Sequence, residues 1–243
     1  MKRRSMVLAL AIAAVALGAF AAAPAKTIPP KKVFTTDFHL QDCTFSSTGR
    51  NLYFVLVPDF KLVLKGVEDK EQVEQQITVL PDEEVINVPG IGDVTTRVVE
   101  EREFADGDLA EVSRNFFAIC EQTNDVFYFG EDVDIYENGQ VVSHGGAWRA
   151  GVNGALPGLA MPGSFLVGSR YSQEVAPGVA MDRAENVAMG LAVDVPAGHF
   201  GNAVRVQETS TLESGKEYKI YAPRIGVVVD EKLELDEYFD PGT

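Results

Sequence analysis

The sequence predicts an all-β protein, an antiparallel meander that forms a curved sheet or a half-open barrel with few helices. Three observations lead to this fold class. Apolar and β-branched runs of about six to twelve residues recur along the chain, clusters of Gly, Pro, Asn and Asp separate them, and helical periodicity is almost absent. With 243 residues, of which 46% are hydrophobic, the chain is long enough to bury a sizeable core.

Residues 1–25 have the pattern of a signal peptide. Basic residues at 2–4 precede an apolar run over 6–20, which ends in Ala-Ala-Ala-Pro-Ala at 21–25. The small residues favour cleavage after Ala25 over an anchor helix, so we expect no transmembrane segment after signal removal. The paired arginines also fit twin-arginine export of a folded protein. We predict an exported protein, and we favour the periplasm, although the leader is compatible with secretion as well.

Charge and motifs limit the expected functions. The chain has 36 acidic and 21 basic residues, a formal net charge of −15, and a surface of this sign repels the phosphates of nucleic acids. The sequence contains no Gly-x-Ser-x-Gly elbow, no His-Glu-x-x-His motif and no glycine-rich phosphate loop. We therefore expect no nucleic-acid partner, and no motif indicates an enzyme.

Cys43 and Cys120 are the only two cysteines. Because both lie in the exported part, where oxidation occurs, the sequence predicts one disulfide between them; two unrelated thiols are the alternative. The three histidines are scattered and lack the ligand spacing of a zinc site.

The strands and turns follow in order along a single β domain. A polar lead at 26–50 precedes this domain at 51–236, and an acidic tail follows at 237–243. A Pro/Gly-rich segment at 154–168 is predicted to be a crossing loop within one sheet rather than a linker between halves. Predicted strands cover 52–65, 71–80, 93–105, 109–121, 125–136, 140–149, 167–175, 183–195, 203–211, 216–222 and 225–235.

Several runs alternate in polarity, as half-buried strands do. In 93–104, Val94 and Val98 share one parity while Glu101 and Glu103 share the other. In the last run, Asp230 alternates with apolar neighbours in the same way. The pattern predicts that the apolar side faces the core and that these carboxylates face water.

Asn138-Gly139 is the strongest hairpin signal, since a type I′ turn needs positive φ at both central residues. A two-residue turn pairs Glu137 with Gln140, Ile135 with Val142 and Phe129 with Trp148. Directly opposed residues share a face, so this register places three aromatic side chains together, which we interpret as a ligand-binding face: Phe127, Phe129 and Trp148.

The same register suggests two further candidate sites. Glu131 and His144 become diagonal neighbours on the apolar face, where an acid and a base could perform catalysis; a bulge at Gly145-Gly146 would separate them. Asp132 and Asp134 lie on the opposite face and could bind calcium, although a solvated acidic face is the simpler interpretation. No other cofactor is predicted.

Residues 125–235 resemble a group of exported bacterial β-rich proteins for which no activity is known. The resemblance rests on turns and aromatic strand positions in YFGEDVDIYENG at 128–139, WRAG at 148–151, PG at 157–158, MP at 161–162 and YAPRIGVV at 221–228. Arg224 stands where that group usually has glycine. The resemblance implies a fold but no catalytic residue.

The sequence therefore predicts an exported, non-catalytic β-sheet protein that binds an apolar small molecule or an exported protein partner on its aromatic face. Two alternatives stay open. One is a hydrolase that depends on a cation or on His144 and Glu131, and the other is a structural protein of the envelope.

Overall fold

The computed structural model describes residues 32–242, and the predicted signal peptide lies outside the described residues. The all-β prediction is confirmed, because the described chain consists of strands and a single short 3₁₀ helix at Leu40–Asp42. Between residues 32 and 242, no helix is both long and apolar enough to cross a membrane. The described chain from Val33 onward forms one compact unit.

The described strands are numbered in chain order. They are β1 Phe45–Ser46, β2 Gly49–Asn51, β3 Phe54–Leu56, β4 Lys61–Glu68, β5 Glu71–Val88, β6 Gly92–Ala105, β7 Asp108–Cys120, β8 Val126–Glu137, β9 Gln140–Ser143, β10 Trp148–Arg149, β11 Leu156–Met161, β12 Arg170–Ser172, β13 Glu174–Val175, β14 Asp182–Val195, β15 Gly198–Ser210, β16 Glu217–Ala222, β17 Gly226–Asp230 and β18 Leu233–Phe239.

One large antiparallel sheet, nearly closed into a barrel, organises the molecule. Two meanders, β4 to β8 and β14 to β18, are joined where β18 pairs with β4. At the other end, β8 continues through β11 to β13, and β14 pairs with β12. A single residue, Gln173, separates the two terminal strands β12 and β13, and its N–H donates to the carbonyl of Asp182 at 2.8 Å. The two edge strands of the sheet, β12 and β13, are therefore consecutive in the chain, and the sheet curls until these edges come together.

Two predicted segments differ from the structure. The crossing loop at 154–168 contains β11, which pairs with β8 and β13. The acidic tail begins inside β18, which extends to Phe239. In both places the neighbouring strands supply backbone partners that local sequence does not reveal.

The Asn138-Gly139 turn forms as predicted, but its register holds for only part of the hairpin. Both residues have positive φ, and Glu137 pairs with Gln140. Ile135 then pairs with Ser143 instead of Val142, because a bulge shifts the strands by one residue.

The predicted pairing of Phe129 with Trp148 is wrong, and a second irregularity lies at Gly130. Trp148 pairs with Glu131 instead. Gly130 has a φ of 136°, and a Cβ there would collide with the backbone of Trp148. The residue after Gly130 therefore faces the side that Tyr128 faces, and the expected alternation along β8 is broken.

The N-terminal segment packs against the outside of β7 and β8. The ring of Phe38 contacts Phe127 at a centroid distance of 5.6 Å, and Phe45 contacts Phe129 at 5.3 Å. The predicted disulfide is confirmed: Cys43 and Cys120 are bonded, with their Cα atoms 5.2 Å apart. This bond holds the segment that precedes β1 to the end of β7.

Candidate functional site

A cavity of about 280 Å³ lies on the inner side of the sheet. Strands from both meanders contribute to its wall, which is dominated by acidic side chains. Six carboxyl groups on six different strands line it: Glu101, Glu111, Glu131, Glu174, Asp182 and Glu208.

Strand alternation explains why these carboxyl groups point inward. Glu101 of β6 is directly opposite Ser113 of β7, and opposed residues share a face. Glu131 is opposite Asn115 in the same way, because the irregularity at Gly130 turns it inward. The prediction that Glu101 and Asp230 face water is wrong, since both line interior cavities.

Lys219 of β16 is the only basic side chain in this cavity wall among the described residues. Its Nζ lies 3.4 Å from Glu208 and 3.2 Å from Asp230. Burial lowers the pKa of Lys219, but these two carboxylates outweigh it, and the pKa lies well above its ordinary value. Lys219 therefore neutralises one side of the cavity.

Several carboxyl groups that form no ion pair with Lys219 resist ionisation. Burial, together with nearby acids, raises the pKa of Glu101 and of Glu131 from 4.5 to about 7. Burial and then the charge of Glu131 raise the pKa of Glu174 well above its ordinary value. Carboxyl groups are thus crowded in a confined space with too little positive charge to balance their ionised forms.

Glu174 is the most exceptional of these groups. Glu174 is half-buried, it lines the cavity, and its carboxyl group forms no hydrogen bond or ion pair within residues 32–242. Other carboxyls have neutral donors, since Gln75 donates to Glu101 at 3.1 Å and Gln173 donates to Glu208 at 2.8 Å. A buried carboxylate without a partner is costly, so it is expected where a ligand supplies the partner.

An apolar compartment of about 100 Å³ adjoins the acidic cavity. The two spaces share Phe54, Phe117 and Tyr221 as lining residues. The Phe117 ring stacks on Tyr128 at 4.6 Å and tilts against Phe54 at 4.9 Å. The interior therefore combines aromatic surface with negative charge.

The three aromatic residues predicted to bind a ligand do not share one face. Phe127 and Phe129 are fully buried against Phe38 and Phe45. Trp148 lies on the inner side, 5.3 Å from the Tyr128 ring, and lines a separate pocket of about 360 Å³ with Glu131. The shifted pairing at Gly130 separates them.

The predicted acid–base pair is also divided. His144 is exposed, and its Nδ1 lies 2.9 Å from both Asp134 Oδ1 and the carbonyl of Val133, whereas Glu131 lines the interior. The bulge next to Ile135 accounts for the difference. The structure therefore does not bring His144 and Glu131 together on one face.

The two candidate calcium ligands each contact a basic residue. Asp132 Oδ2 lies 2.8 Å from Arg149, and Asp134 lies 3.4 Å from Arg114. In the part of the chain that the structure describes, no three His, Cys, Asp or Glu side chains converge as a metal site would require. The interior carboxyl groups are thus spread around a wall rather than gathered about a point.

Sequence reasoning missed Glu101, Glu174 and Lys219. The available signal was the alternation itself, which separates two faces of a strand without showing which one is enclosed. For Glu174, a two-residue strand provides no pattern at all.

No protein-family model matches the chain, and no curated protein matches it. Two solved structures show a distant likeness. One is a protein inferred to be exported, with a YmcC-like fold, from Bacteroides fragilis NCTC 9343; it is 14% identical, with a TM-score of 0.39. The other is a protein inferred to be a lipoprotein from Parabacteroides distasonis ATCC 8503, 11% identical with a TM-score of 0.38. Each match covers 79% of this chain and 100% of the other.

Proposed function

We propose that this is an exported binding protein that holds a small organic cation, with an apolar part, inside its barrel. The unpartnered carboxyl group of Glu174 in the acidic cavity carries this proposal. A cationic ligand would balance the charge of Glu174 and of its neighbour Glu131. The adjoining compartment, lined by Phe54 and Phe117, would take the apolar part.

The spread of the carboxyl groups favours an organic cation over a metal ion. Metal ions need several ligand atoms at short distances around one point, and the described residues offer no such cluster. A molecule with a positive charge and several apolar atoms fits a wall that carries both acids and aromatic rings. This proposal keeps the predicted binding function but replaces the outer aromatic face with the interior cavity.

Isothermal titration calorimetry with phenethylamine and phenethyl alcohol would test the proposal. At about pH 8 we expect saturable binding of the amine and at least about tenfold weaker binding of the alcohol, which has the same shape without the charge. Equal affinities, or no binding of the amine, would contradict the proposal.

A matched pair of variants assigns the site. Glu174→Gln should weaken phenethylamine binding about tenfold or more, because one interior charge is lost. Glu84→Gln changes an exposed carboxylate on β5 and should leave the affinity unchanged. An equal effect of both substitutions would show that the amine responds only to overall charge.

A further inference from the structure

The charge in the cavity is unevenly distributed, which locates the cationic group of a ligand. Lys219 compensates Glu208 and Asp230 on one side. Neither Glu131 nor Glu174 forms an ion pair within the described residues, and the charge of Glu131 raises the pKa of Glu174. The uncompensated region therefore lies between Glu131 and Glu174.

The aromatic ring of Tyr128 belongs to the same region. Both carboxyls act on the ionisation of its hydroxyl group, which donates a hydrogen bond to Asn115 Oδ1. The ring is stacked on Phe117, and four aromatic residues line this cavity: Phe54, Phe117, Tyr128 and Tyr221. Aromatic rings attract a cation through the negative charge of their faces. This attraction does not require the cation to donate an N–H hydrogen bond.

On the basis of the proposed function, we infer that the cavity accepts an alkylated ammonium group, quaternary or tertiary, between Glu131 and Glu174 and against the Tyr128 ring. Two physical reasons favour it over a primary ammonium group. A primary ammonium is strongly hydrated and loses that hydration in a confined space. An alkylated ammonium is more weakly hydrated, and its methyl groups contact aromatic rings favourably.

Three ligands of similar size separate the two proposals: choline, ethanolamine and the neutral 3,3-dimethylbutanol, titrated by calorimetry at about pH 8. We expect choline to bind about tenfold more tightly than ethanolamine, and we expect no measurable binding of the neutral alcohol. Ethanolamine binding as tightly as choline would overturn the present inference and leave the proposed function intact. If neither cation binds better than the alcohol, both proposals fail.

A second test compares adjacent phenylalanines on β7. Phe117→Leu removes an interior ring and keeps apolar volume, so the preference for choline over ethanolamine should fall to about twofold or less. Phe116→Leu is the matched control, because Phe116 points to the other side, where Arg149 lies over its ring at 4.0 Å; the preference should be retained. A preference unchanged by Phe117→Leu would refute the aromatic contribution.

Thermal unfolding of each variant shows whether it folds. Phe54→Leu provides the alternative if Phe117→Leu does not fold, since Phe54 lines the same cavity and is only partly buried. The same loss of preference is expected, and an unchanged preference in folded Phe54→Leu counts against the inference equally.

Discussion

Replacing Glu101 by glutamine should stabilise the protein above neutral pH and leave its stability nearly unchanged in acid. Glu101 lies in the wall between the apolar compartment and the acidic cavity. Burial is the main reason for its high pKa, and Asp230, Glu111 and Glu208 add to the effect of burial. Glutamine has nearly the same shape as the protonated side chain but never becomes charged.

The magnitude follows from the difference in proton affinity between the folded and unfolded states. The pKa of Glu101 is about 7 in the folded protein and 4.5 ordinarily. At about 1.4 kcal/mol for each tenfold change in affinity, this difference corresponds to about 3 kcal/mol. This value is an upper limit, because water that enters the cavity screens the charge.

The direction is fixed by linkage. Because the folded pKa is raised, the folded state binds this proton more tightly than the unfolded state does, so the wild-type protein loses stability as the pH rises from about 4.5 through about 7. Glu101→Gln lacks this titration. Its advantage over the wild type should therefore be absent at about pH 4 and fully present at about pH 8.

Urea denaturation of both proteins across this pH range, with the disulfide intact, measures the effect. Glu84→Gln, which changes an exposed carboxylate, controls for the loss of overall negative charge. If Glu101→Gln is no more stable than the wild type at about pH 8, or if its advantage does not vary with pH, Glu101 is not a buried, destabilised acid.

Two further predictions concern the packing that holds the cavity in place. Arg97→Met should destabilise the protein by about 1–3 kcal/mol in urea denaturation, because buried Arg97 donates to the carbonyls of Ser47 and Pro81, which lose their partner. A loss below about 0.5 kcal/mol would show that these contacts are dispensable. Phe127→Ala should lower the free energy of unfolding by about 3–5 kcal/mol, because it creates a cavity in the core. The affinity for phenethylamine should stay unchanged. If calorimetry shows that the folded variant has lost binding, Phe127 belongs to the binding site.

Local patterns predicted most of the strands and turns. Asn138-Gly139 forms the expected turn, and both residues have the positive φ that the pair favours. Arg224 also adopts a positive φ, of 68°. There the backbone N–H of Arg224 donates to the carbonyl of Leu52 at 2.6 Å, so a tertiary contact supports a conformation that the residue itself disfavours.

Register beyond the turns was not predictable. Each irregularity in a strand reverses which side the following residues face, and the one at Gly130 moved Trp148 away from Phe129 and turned Glu131 inward. The sequence alone does not show that the glycine at position 130 lies at an irregularity. A glycine is required there because the backbone of Trp148 approaches closely, and only the structure shows this contact.

The sequence by itself predicted that this chain forms an antiparallel sheet and that Cys43 and Cys120 form a disulfide, and the structure confirms both. It also determined that residues such as Glu101 and Val98 lie on opposite faces of a strand, because side-chain alternation is a property of the extended backbone. Only the tertiary structure decided which face is enclosed. The sheet curls until β12 and β13 meet, and this closure surrounds the charged face of β6 and gathers carboxyl groups from distant strands, an outcome of long-range pairing that no local pattern encodes.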